Sequence, residues 1–376
     1  MIFNTFMPVR VISGTGCVKE FDYSSFGKKC LIMTGRTAAQ KSGLLDDLIA
    51  ALEKMSVEYI TFSEVEQNPH VNTCHYAGEL AREFEADFII GAGGGSAMDA
   101  AKAAAVYTKN PDFEPNDIFT KKVTSALPFI LIGTTAGTGS EVTKVSVLSF
   151  DFNGKPYKRS FKDDLTYATV ALCDSTYTNT LNWEITSSSA LDIICHAVES
   201  YFSKQADCLS KTYALKAIEI GWKAIVKAHW QNIVEKRQIE GACRQDLLTA
   251  SIFGGLAINK TGTCFPHALS YALTSRQNII HGKACAYFLP EFIRRMSKID
   301  ENGVKLIAEA TGEASIDDFI TGIESLSGAR PTLSIDDCYE YTELSKDSAS
   351  IRNALVNLEE QEVFEIYKKL FTNKFN

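Results

Sequence analysis

The sequence predicts an α/β fold in its first half and an all-helical fold in its second half. Short apolar runs alternate with amphipathic helical patterns up to about residue 140, and two of these runs lead into small-residue turns. From about residue 180 onward, apolar residues recur at helical spacing and strand-like runs are few. Strands that alternate with helices favour a doubly wound, mostly parallel sheet. We therefore predict two domains, residues 1–179 and residues 180–376.

Each element of the first half follows from a local pattern. Apolar runs predict strands over residues 28–35 and 58–65, and strands that enter small-residue turns within residues 86–95 and 128–137. Helical periodicity predicts helices over residues 42–55, around residues 75–85 and over residues 96–107. Between about residues 140 and 174, short alternating segments predict a β-hairpin, with Asn153-Gly154 as its turn, and one final strand.

Composition and charge narrow the class of protein. The 376 residues carry a formal net charge of -8 and no long basic run, which argues against nucleic acid as the partner. The 10 cysteines form no C-x-x-C pair and most have apolar neighbours, as expected for reduced, buried thiols in a cytoplasmic protein. No signal peptide is evident, and no apolar stretch is long enough for a transmembrane helix, so we expect no membrane partner.

A glycine-rich turn, GAGGGSAMDAAK at residues 91–102, follows a predicted strand and opens a predicted helix. Gly94 and Gly95 let the backbone approach a phosphate, and the helix N-terminus supplies free N–H groups. Ser96 is suited to cap the helix or bond a pyrophosphate, and Asp99 to favour the helix dipole or meet a hydroxyl. The spacing matches neither standard nucleotide fingerprint, so a plain tight connection is the alternative.

A second small-residue loop, GTTAGTGSEVT at residues 133–143, follows the next predicted strand. The hydroxyl groups of Thr134, Thr135, Thr138 and Ser140 are suited to bind a cofactor's phosphates and ring amide. The alternative is a threonine-rich turn that satisfies its own backbone. Because ligands of such sheets bind at the carboxyl ends of the strands, both loops lie where a ligand is expected.

Asp192, His196, His267 and His281 form a set of residues that suits a divalent metal. Asp192 and His196 are four residues apart in a helical pattern, so both lie on one helix face. Three of the 6 histidines in the chain belong to this set. Mixed nitrogen and oxygen ligands suit Fe(II) or Zn(II), with Ni(II) and Co(II) also acceptable. For any one of these histidines alone, an ordinary buried side chain is the simpler interpretation.

Together these segments resemble the iron-containing (group III) alcohol dehydrogenase family. The matching motifs are GGGSAMDAAK, TTAGTGSEVT, DIICHAVESY, PHALSYALT and IIHGKACA, in this order across roughly residues 8–290. The resemblance implies an N-terminal dinucleotide-binding α/β domain, an all-helical C-terminal domain and an active site in the cleft between them. It also implies a divalent metal, usually Fe(II) and sometimes Zn(II), held by Asp192, His196, His267 and His281, and a homodimer.

The resemblance implies a nicotinamide cofactor as well. Where NAD-preferring members often place an Asp, this chain has Gly35 followed by Arg36, which favours NADP(H) over NAD(H) because a guanidinium can pair with a 2′-phosphate. An ordinary surface arginine is the alternative. The expected cofactor-binding residues are Gly35, Arg36, Asn68, Gly94, Gly95, Ser96, Asp99, Thr134, Thr135, Thr138, Ser140 and Lys158. Lys155 or Arg159 could serve in place of Lys158.

The expected function is hydride transfer between the nicotinamide and a small primary alcohol or aldehyde. Tyr271 stands where several members have a second histidine, and we include its phenol as a catalytic candidate for proton transfer. The alternatives within the fold are acidic or polyol substrates, with Arg276 as the nearest cation for an acid. A non-catalytic nucleotide-binding paralogue is the alternative from another class. The segment from about residue 330 departs from the family pattern, so it does not indicate the substrate.

Overall fold

A computed structural model of the chain describes residues 3–152 and 155–372. Contacts between residues divide the chain into two compact units. The sheet unit comprises Phe6–Thr135 and Gly139–Leu181, and the helical unit consists mainly of the described part of Asn182–Asn376. The short stretch Ala136–Thr138 is grouped with the helical unit.

The sheet unit contains a six-stranded sheet in which every pair of neighbouring strands is parallel. Its strands are β1 (Arg10–Ser13), β2 (Lys29–Gly35), β3 (Glu58–Val65), β4 (Phe88–Gly93), β5 (Phe129–Gly133) and β8 (Val170–Cys173). They lie in the order β1-β8-β5-β4-β2-β3. The carboxyl ends of β2, β4 and β5 are therefore neighbours at one edge of the sheet. The parallel sheet followed by a helical region confirms the predicted fold class.

Strands β6 (Val145–Phe152) and β7 (Lys155–Lys162) form a separate antiparallel pair. The predicted hairpin is thus present, while its predicted turn, Asn153-Gly154, lies outside the described residues.

Both faces of the parallel sheet are covered by helices, as a doubly wound fold requires. Because side chains alternate along a strand, Leu31 and Met33 of β2 belong to one core cluster, while Cys30 and Ile32 belong to another. The first cluster includes side chains of the helices that follow β3 and β4, and the second includes the helix that follows β2. The helices of this unit are α1 (Cys17–Glu20), α2 (Ala38–Lys41), α3 (Leu44–Lys54), α4 (Val71–Glu83) and α5 (Gly95–Lys109).

The helical unit contains ten α-helices among its described residues. They are α6 (Trp183–Tyr201), α7 (Cys208–His229), α8 (Gly241–Thr261), α9 (Phe265–Gln277), α10 (His281–Ala286), α11 (Leu289–Met296), α12 (Glu301–Thr311), α13 (Ile316–Ser327), α14 (Ile335–Ser345) and α15 (Glu360–Phe371). Helix α6 is central, since 15 of its 19 residues are buried. It packs against α7, α8 and α10. The predicted ligands Asp192 and His196 are on this buried helix.

Strand β1 was not predicted from the sequence. It is a four-residue edge strand without a fully buried residue, so it lacks the apolar run that marks the inner strands. All ten cysteines are unpaired thiols, in line with the absence of a predicted disulfide framework. Among the described residues, no helix combines the length and the apolar character needed to cross a bilayer.

Candidate metal centre and cofactor loops

Helix α6 supplies two of the four predicted metal ligands. The helix begins after Asn182, whose side-chain carbonyl accepts a hydrogen bond from the backbone N–H of Ile185 at 2.9 Å. Asp192 and His196 follow at i and i+4, and both are buried, with exposed fractions of 4% and 5%. Their shared helix face explains why the sequence spacing alone could predict that they lie together.

The other two ligands come from α9 and α10. His267 is the third residue of α9, a helix whose start is favoured by Pro266 in its first turn. His281 is the first residue of α10. Gly282 lets α10 approach α6 closely, because a Cβ there would lie 1.9 Å from the backbone oxygen of Ser188. This contact holds the start of α10, and with it His281, against the ligand face of α6.

The three histidines surround one carboxylate oxygen. The Oδ1 atom of Asp192 lies 3.3 Å from Nε2 of His267, 3.6 Å from Nε2 of His196 and 3.9 Å from Nε2 of His281. Ligands bonded to a tetrahedral ion at about 2.1 Å are roughly 3.4 Å apart. The four predicted ligands are therefore brought together at spacings close to those of a metal centre.

Three buried atoms of the predicted ligands have no hydrogen-bond partner among the described residues: Nδ1 of His196, Oδ1 of Asp192 and Nε2 of His267. The last two lie 3.3 Å apart. Leaving such groups unsatisfied costs free energy, roughly 1–3 kcal/mol for each group. A divalent ion would satisfy the Asp192 and His267 atoms at once, so the residues present fit a metal.

The ligands differ in the direction of their pKa shifts. Despite their burial, the neighbouring Cys285 and Asp192 raise the pKa values of the His267 and His281 imidazoles, with Glu199 adding to the effect at His267, so these rings lose a proton when an ion binds. Burial alone would raise the pKa of the Asp192 carboxyl, but the imidazoles of His196, His281 and His267 more than offset it and hold the pKa well below its usual range. Burial lowers the pKa of the His196 imidazole to about 4, so this ring is neutral at pH 7 and keeps a lone pair for a metal.

Glu199 extends the centre by one layer of hydrogen bonds. Its Oε1 lies 2.6 Å from Nδ1 of His267, and its Oε2 accepts a hydrogen bond from the backbone N–H of Cys264 at 2.6 Å. A carboxylate that accepts from the far nitrogen of a metal-binding histidine fixes the ring and its tautomer, leaving Nε2 for the ion. Sequence analysis missed Glu199. Its spacing was the available signal, since Asp192, His196 and Glu199 are at i, i+4 and i+7 of one helix.

Tyr271 is one helical turn after His267 on α9. Its ring is nearly parallel to that of His281, with an interplanar angle of 5° and centroids 5.9 Å apart. The side chain is partly exposed, at 37%. The phenol thus lies beside the candidate metal centre and is partly exposed.

The glycine turn leads into the N-terminus of α5, as predicted. Gly94 is the N-cap residue, and no side chain caps the first turn of this 15-residue helix. A Cβ at Gly94 would have only Thr135 atoms near it, at 3.8 Å and beyond. Gly94, Gly95 and Ser96 are half-buried at the carboxyl end of β4. The free N–H groups of this turn are suited to bind an anion.

Asp99 and Ser140 are linked by a buried lysine that sequence analysis did not single out. The ammonium of Lys102, fully buried, donates to Ser140 Oγ at 2.6 Å and to Asp99 Oδ1 at 3.3 Å. Ser140 also donates to Asp99 Oδ1 at 2.6 Å, and the backbone N–H of Val147 donates to Asp99 Oδ2 at 2.9 Å. These bonds tie α5 to the loop after β5 and to β6, so Asp99 and Ser140 shape the sheet unit's loops.

The second small-residue loop, residues 133–143, is divided between the two units. In the sheet unit, the backbone N–H of Thr134 donates to Gly93 at 2.8 Å, which joins the ends of β4 and β5. The Thr134 hydroxyl is buried and has no hydrogen-bond partner among the described residues, whereas Thr135 is half-buried. Thr138 belongs to the short stretch Ala136–Thr138, which is grouped with the helical unit. This stretch packs closely on α6, since a Cβ at Gly137 would lie 2.9 Å from Ser189.

The remaining predicted cofactor residues lie near the same sheet edge. Gly35 ends β2 and Arg36 follows it, exposed, with no hydrogen bond or ion pair among the described residues. The backbone N–H of Asn68 is bonded to Ser96 Oγ at 3.3 Å, so this residue adjoins the glycine turn. Lys158 is an exposed residue of β7.

Comparison with known proteins agrees with this arrangement. The chain matches the model of the iron-containing alcohol dehydrogenases over residues 8–175 and the model of the C-terminal region of that family over residues 186–328. It is 33% identical over 269 residues to long-chain-alcohol dehydrogenase 1 of Geobacillus thermodenitrificans, covering 70% of this chain and 65% of that protein.

Two further relatives cover most of both chains. An NADPH-dependent butanol dehydrogenase of Clostridium saccharobutylicum is 27% identical over 335 residues, covering 85% of this chain and 82% of its own. The crystal structure of an iron-containing alcohol dehydrogenase from Thermotoga maritima has 31% identity and a TM-score of 0.87, with 98% of this chain and 99% of that chain covered. The chain therefore belongs to the iron-containing alcohol dehydrogenase family.

Proposed function

We propose that the protein is a metal-dependent, NADP(H)-linked alcohol dehydrogenase that interconverts small aldehydes and primary alcohols. One observation carries the proposal: three imidazoles surround a buried, unpartnered carboxylate oxygen of Asp192 at 3.3–3.9 Å. Family membership supports the more general conclusion that the chain is an alcohol dehydrogenase that uses NAD or NADP. The butanol dehydrogenase relative supports a small primary alcohol and NADPH.

Asp192, His196, His267 and His281 would hold the ion. Bound there, Fe(II) or Zn(II) supplies a Lewis acid for the substrate oxygen, while the nicotinamide supplies or accepts the hydride. Glu199 keeps the His267 ring oriented through the 2.6 Å contact at Nδ1. The two buried carboxylates, Asp192 and Glu199, have only imidazoles as ion-pair partners among the described residues, so they favour a divalent cation at this place.

Proton transfer is the proposed role of Tyr271. In the direction of aldehyde reduction, hydride goes to the carbonyl carbon and one proton must reach the carbonyl oxygen. The Tyr271 phenol is protonated at neutral pH. Its position beside His281 and its partial exposure support a path for this proton between the centre and solvent.

The cofactor is proposed to bind at the carboxyl ends of β2, β4 and β5. The uncapped first turn of α5, at Gly94, Gly95 and Ser96, supports pyrophosphate binding. Arg36 supports NADP(H), because it is exposed beside Gly35 and no carboxylate pairs with it among the described residues. A charge-assisted bond to a 2′-phosphate is worth about 1.5–3 kcal/mol, or roughly tenfold to a hundredfold in selectivity.

A comparison of kcat/KM for NADPH and NADH tests the cofactor proposal. We expect a preference for NADPH that Arg36→Ala removes, with little change in kcat/KM for NADH. Lys41→Ala is the matched control, because Lys41 is another exposed cation of the same unit without an ion pair among the described residues. An NADH preference in the unaltered protein, or an unchanged preference in Arg36→Ala, would refute it.

NADPH oxidation by butyraldehyde and a panel of other aldehydes tests the overall function. We expect turnover with added Fe(II) or Zn(II) and none after chelation. An acidic substrate has less support, since the guanidinium of Arg276 already donates to Glu340 at 3.0 Å. Absence of metal-dependent turnover on every aldehyde would instead support the non-catalytic alternative.

Three further properties complete the proposal. The ten unpaired cysteines support a reducing, cytoplasmic location. A homodimer rests on the family resemblance, and sedimentation equilibrium would measure it. The division into residues 1–179 and 180–376 as functional domains could be tested by expressing each part and measuring its cooperative unfolding.

A further inference from the structure

Helix α10 brings a cysteine into the metal centre. Cys285 is one turn beyond His281, and its Sγ lies 3.8 Å from Nε2 of that histidine. Asp192, His267, His281 and Cys285 each offer one donor atom, and these four atoms all lie within 4.8 Å of one another. Two other cysteines are close to the ligands in sequence, Cys195 next to His196 and Cys264 three residues before His267, and neither belongs to this group.

The Cys285 thiol is buried beside two potential metal-binding atoms that have no hydrogen-bond partner among the described residues. Its S–H group donates to Ser270 Oγ at 3.2 Å, and Ser270 in turn donates to the backbone oxygen of His267 at 2.7 Å. Asp192 and His267 are 4% and 2% exposed, and their Oδ1 and Nε2 atoms are unpartnered in the described part of the chain. The sulfur therefore lies beside two atoms that independently indicate a cation.

We propose that Cys285 is a metal ligand that gives this centre a second, softer set of donors. The set comprises Asp192, His267, His281 and the Cys285 thiolate, and it takes thiophilic ions such as Zn(II) and Co(II). Fe(II) takes the harder set, in which His196 replaces the sulfur. Soft thiolates select Zn(II), whereas imidazole and carboxylate ligands also suit Fe(II).

The Cys285 sulfur and the His281 nitrogen already lie near the spacing of two ligands on one ion. Zinc–sulfur bonds are about 2.3 Å and zinc–nitrogen bonds about 2.1 Å, so a tetrahedral sulfur and nitrogen are roughly 3.6 Å apart. The 3.8 Å between Cys285 and His281 is already close to this value. On binding, the S–H bond breaks, the proton leaves to solvent and a sulfur–metal bond forms, with no change of oxidation state. The proposal rests on the proposed function only in that both use one metal centre.

Cobalt spectroscopy of the full-length apoprotein tests the proposal. With Co(II) added, we expect a near-ultraviolet thiolate-to-cobalt charge-transfer band that Cys285→Ser abolishes. Cys285→Ser should also lower the affinity for Zn(II) relative to Fe(II) by roughly tenfold or more. Cys195→Ser is the control, since this buried cysteine precedes His196 but is not in the donor group, and it should keep the band.

Absence of the band in the unaltered protein, or its persistence in Cys285→Ser, would overturn the proposal. If Cys285→Ser fails to fold, X-ray absorption of the Zn(II)-loaded unaltered protein decides, with one sulfur at about 2.3 Å expected and only nitrogen and oxygen contradicting it. Neither measurement depends on turnover. A cobalt–thiolate band without dehydrogenase activity would therefore refute the proposed function alone, and metal-dependent activity without sulfur ligation of Co(II) or Zn(II) would refute this inference alone.

Discussion

Replacement of Glu199 by glutamine should weaken metal binding without unfolding the protein. The carboxylate is fully buried and accepts from Cys264 N–H, and its other oxygen contacts His267 Nδ1, both at 2.6 Å. Glutamine has nearly the same shape, so the amide oxygen can keep one of these bonds. The negative charge that polarises the His267 ring is lost, however, and Nε2 becomes a poorer donor to the ion.

The expected size follows from how such carboxylates act at other metal centres. Removing one typically lowers metal affinity by about 10–100-fold, which corresponds to about 1.4–2.8 kcal/mol. Glu199→Ala should do more damage, because it leaves the Cys264 N–H and the His267 ring without their buried acceptor. That loss should lower the free energy of unfolding by roughly 1–3 kcal/mol for each orphaned group.

Competition with a chelator of known affinity measures this effect, using Zn(II) and the apoprotein, and urea unfolding measures stability alongside it. Glu291→Gln is the matched control, since Glu291 is a buried carboxylate of the same unit that pairs with Arg295 at 3.0 Å and Lys369 at 2.8 Å. It should lose stability but keep its metal affinity. If Glu199→Gln binds Zn(II) as tightly as the unaltered protein, the positioning role of Glu199 is wrong.

Three other changes test separate parts of the account. Gly91→Ala should lower the free energy of urea unfolding by about 1–3 kcal/mol, because its Cβ would lie 2.6 Å from a side chain of α5. Gly241→Ala has open space and should be neutral, so equal effects would contradict the packing argument. Lys102→Met should destabilise by about 3–5 kcal/mol, since Asp99 loses its buried cation, and a loss below 1 kcal/mol would argue against that pairing. Tyr271→Phe should reduce kcat about a hundredfold and alter its pH profile, whereas an unchanged profile excludes proton transfer by the phenol.

Local patterns predicted those features that depend on neighbouring residues in the chain. The strands and helices of the sheet unit follow from apolar periodicity, and Asp192 with His196 follows from helical spacing. Strand β1 was missed because an exposed four-residue edge strand has no such pattern. The inner strands lie within the predicted segments, at Lys29–Gly35, Glu58–Val65, Phe88–Gly93 and Phe129–Gly133.

Periodicity alone could not predict that ligands distant in sequence lie together. The family motifs implied that His267 and His281 join Asp192, but the physical reason lies in packing, where Gly282 lets α10 contact α6. Helical spacing could have predicted both Glu199, three residues after His196, and Cys285, four residues after His281. They were missed because the motif comparison concerned the ligands themselves and not the residues one turn away.

Titration of the apoprotein with metal shows whether the ion at Asp192 carries the activity. Apoprotein is titrated with Fe(II) under exclusion of oxygen, and bound metal and NADPH oxidation by butyraldehyde are measured on the same samples. We expect activity to rise in proportion to bound metal up to one ion per chain, and the Asp192→Asn variant to gain neither bound metal nor activity. Full activity in the metal-free protein, or an active Asp192→Asn variant, would contradict it.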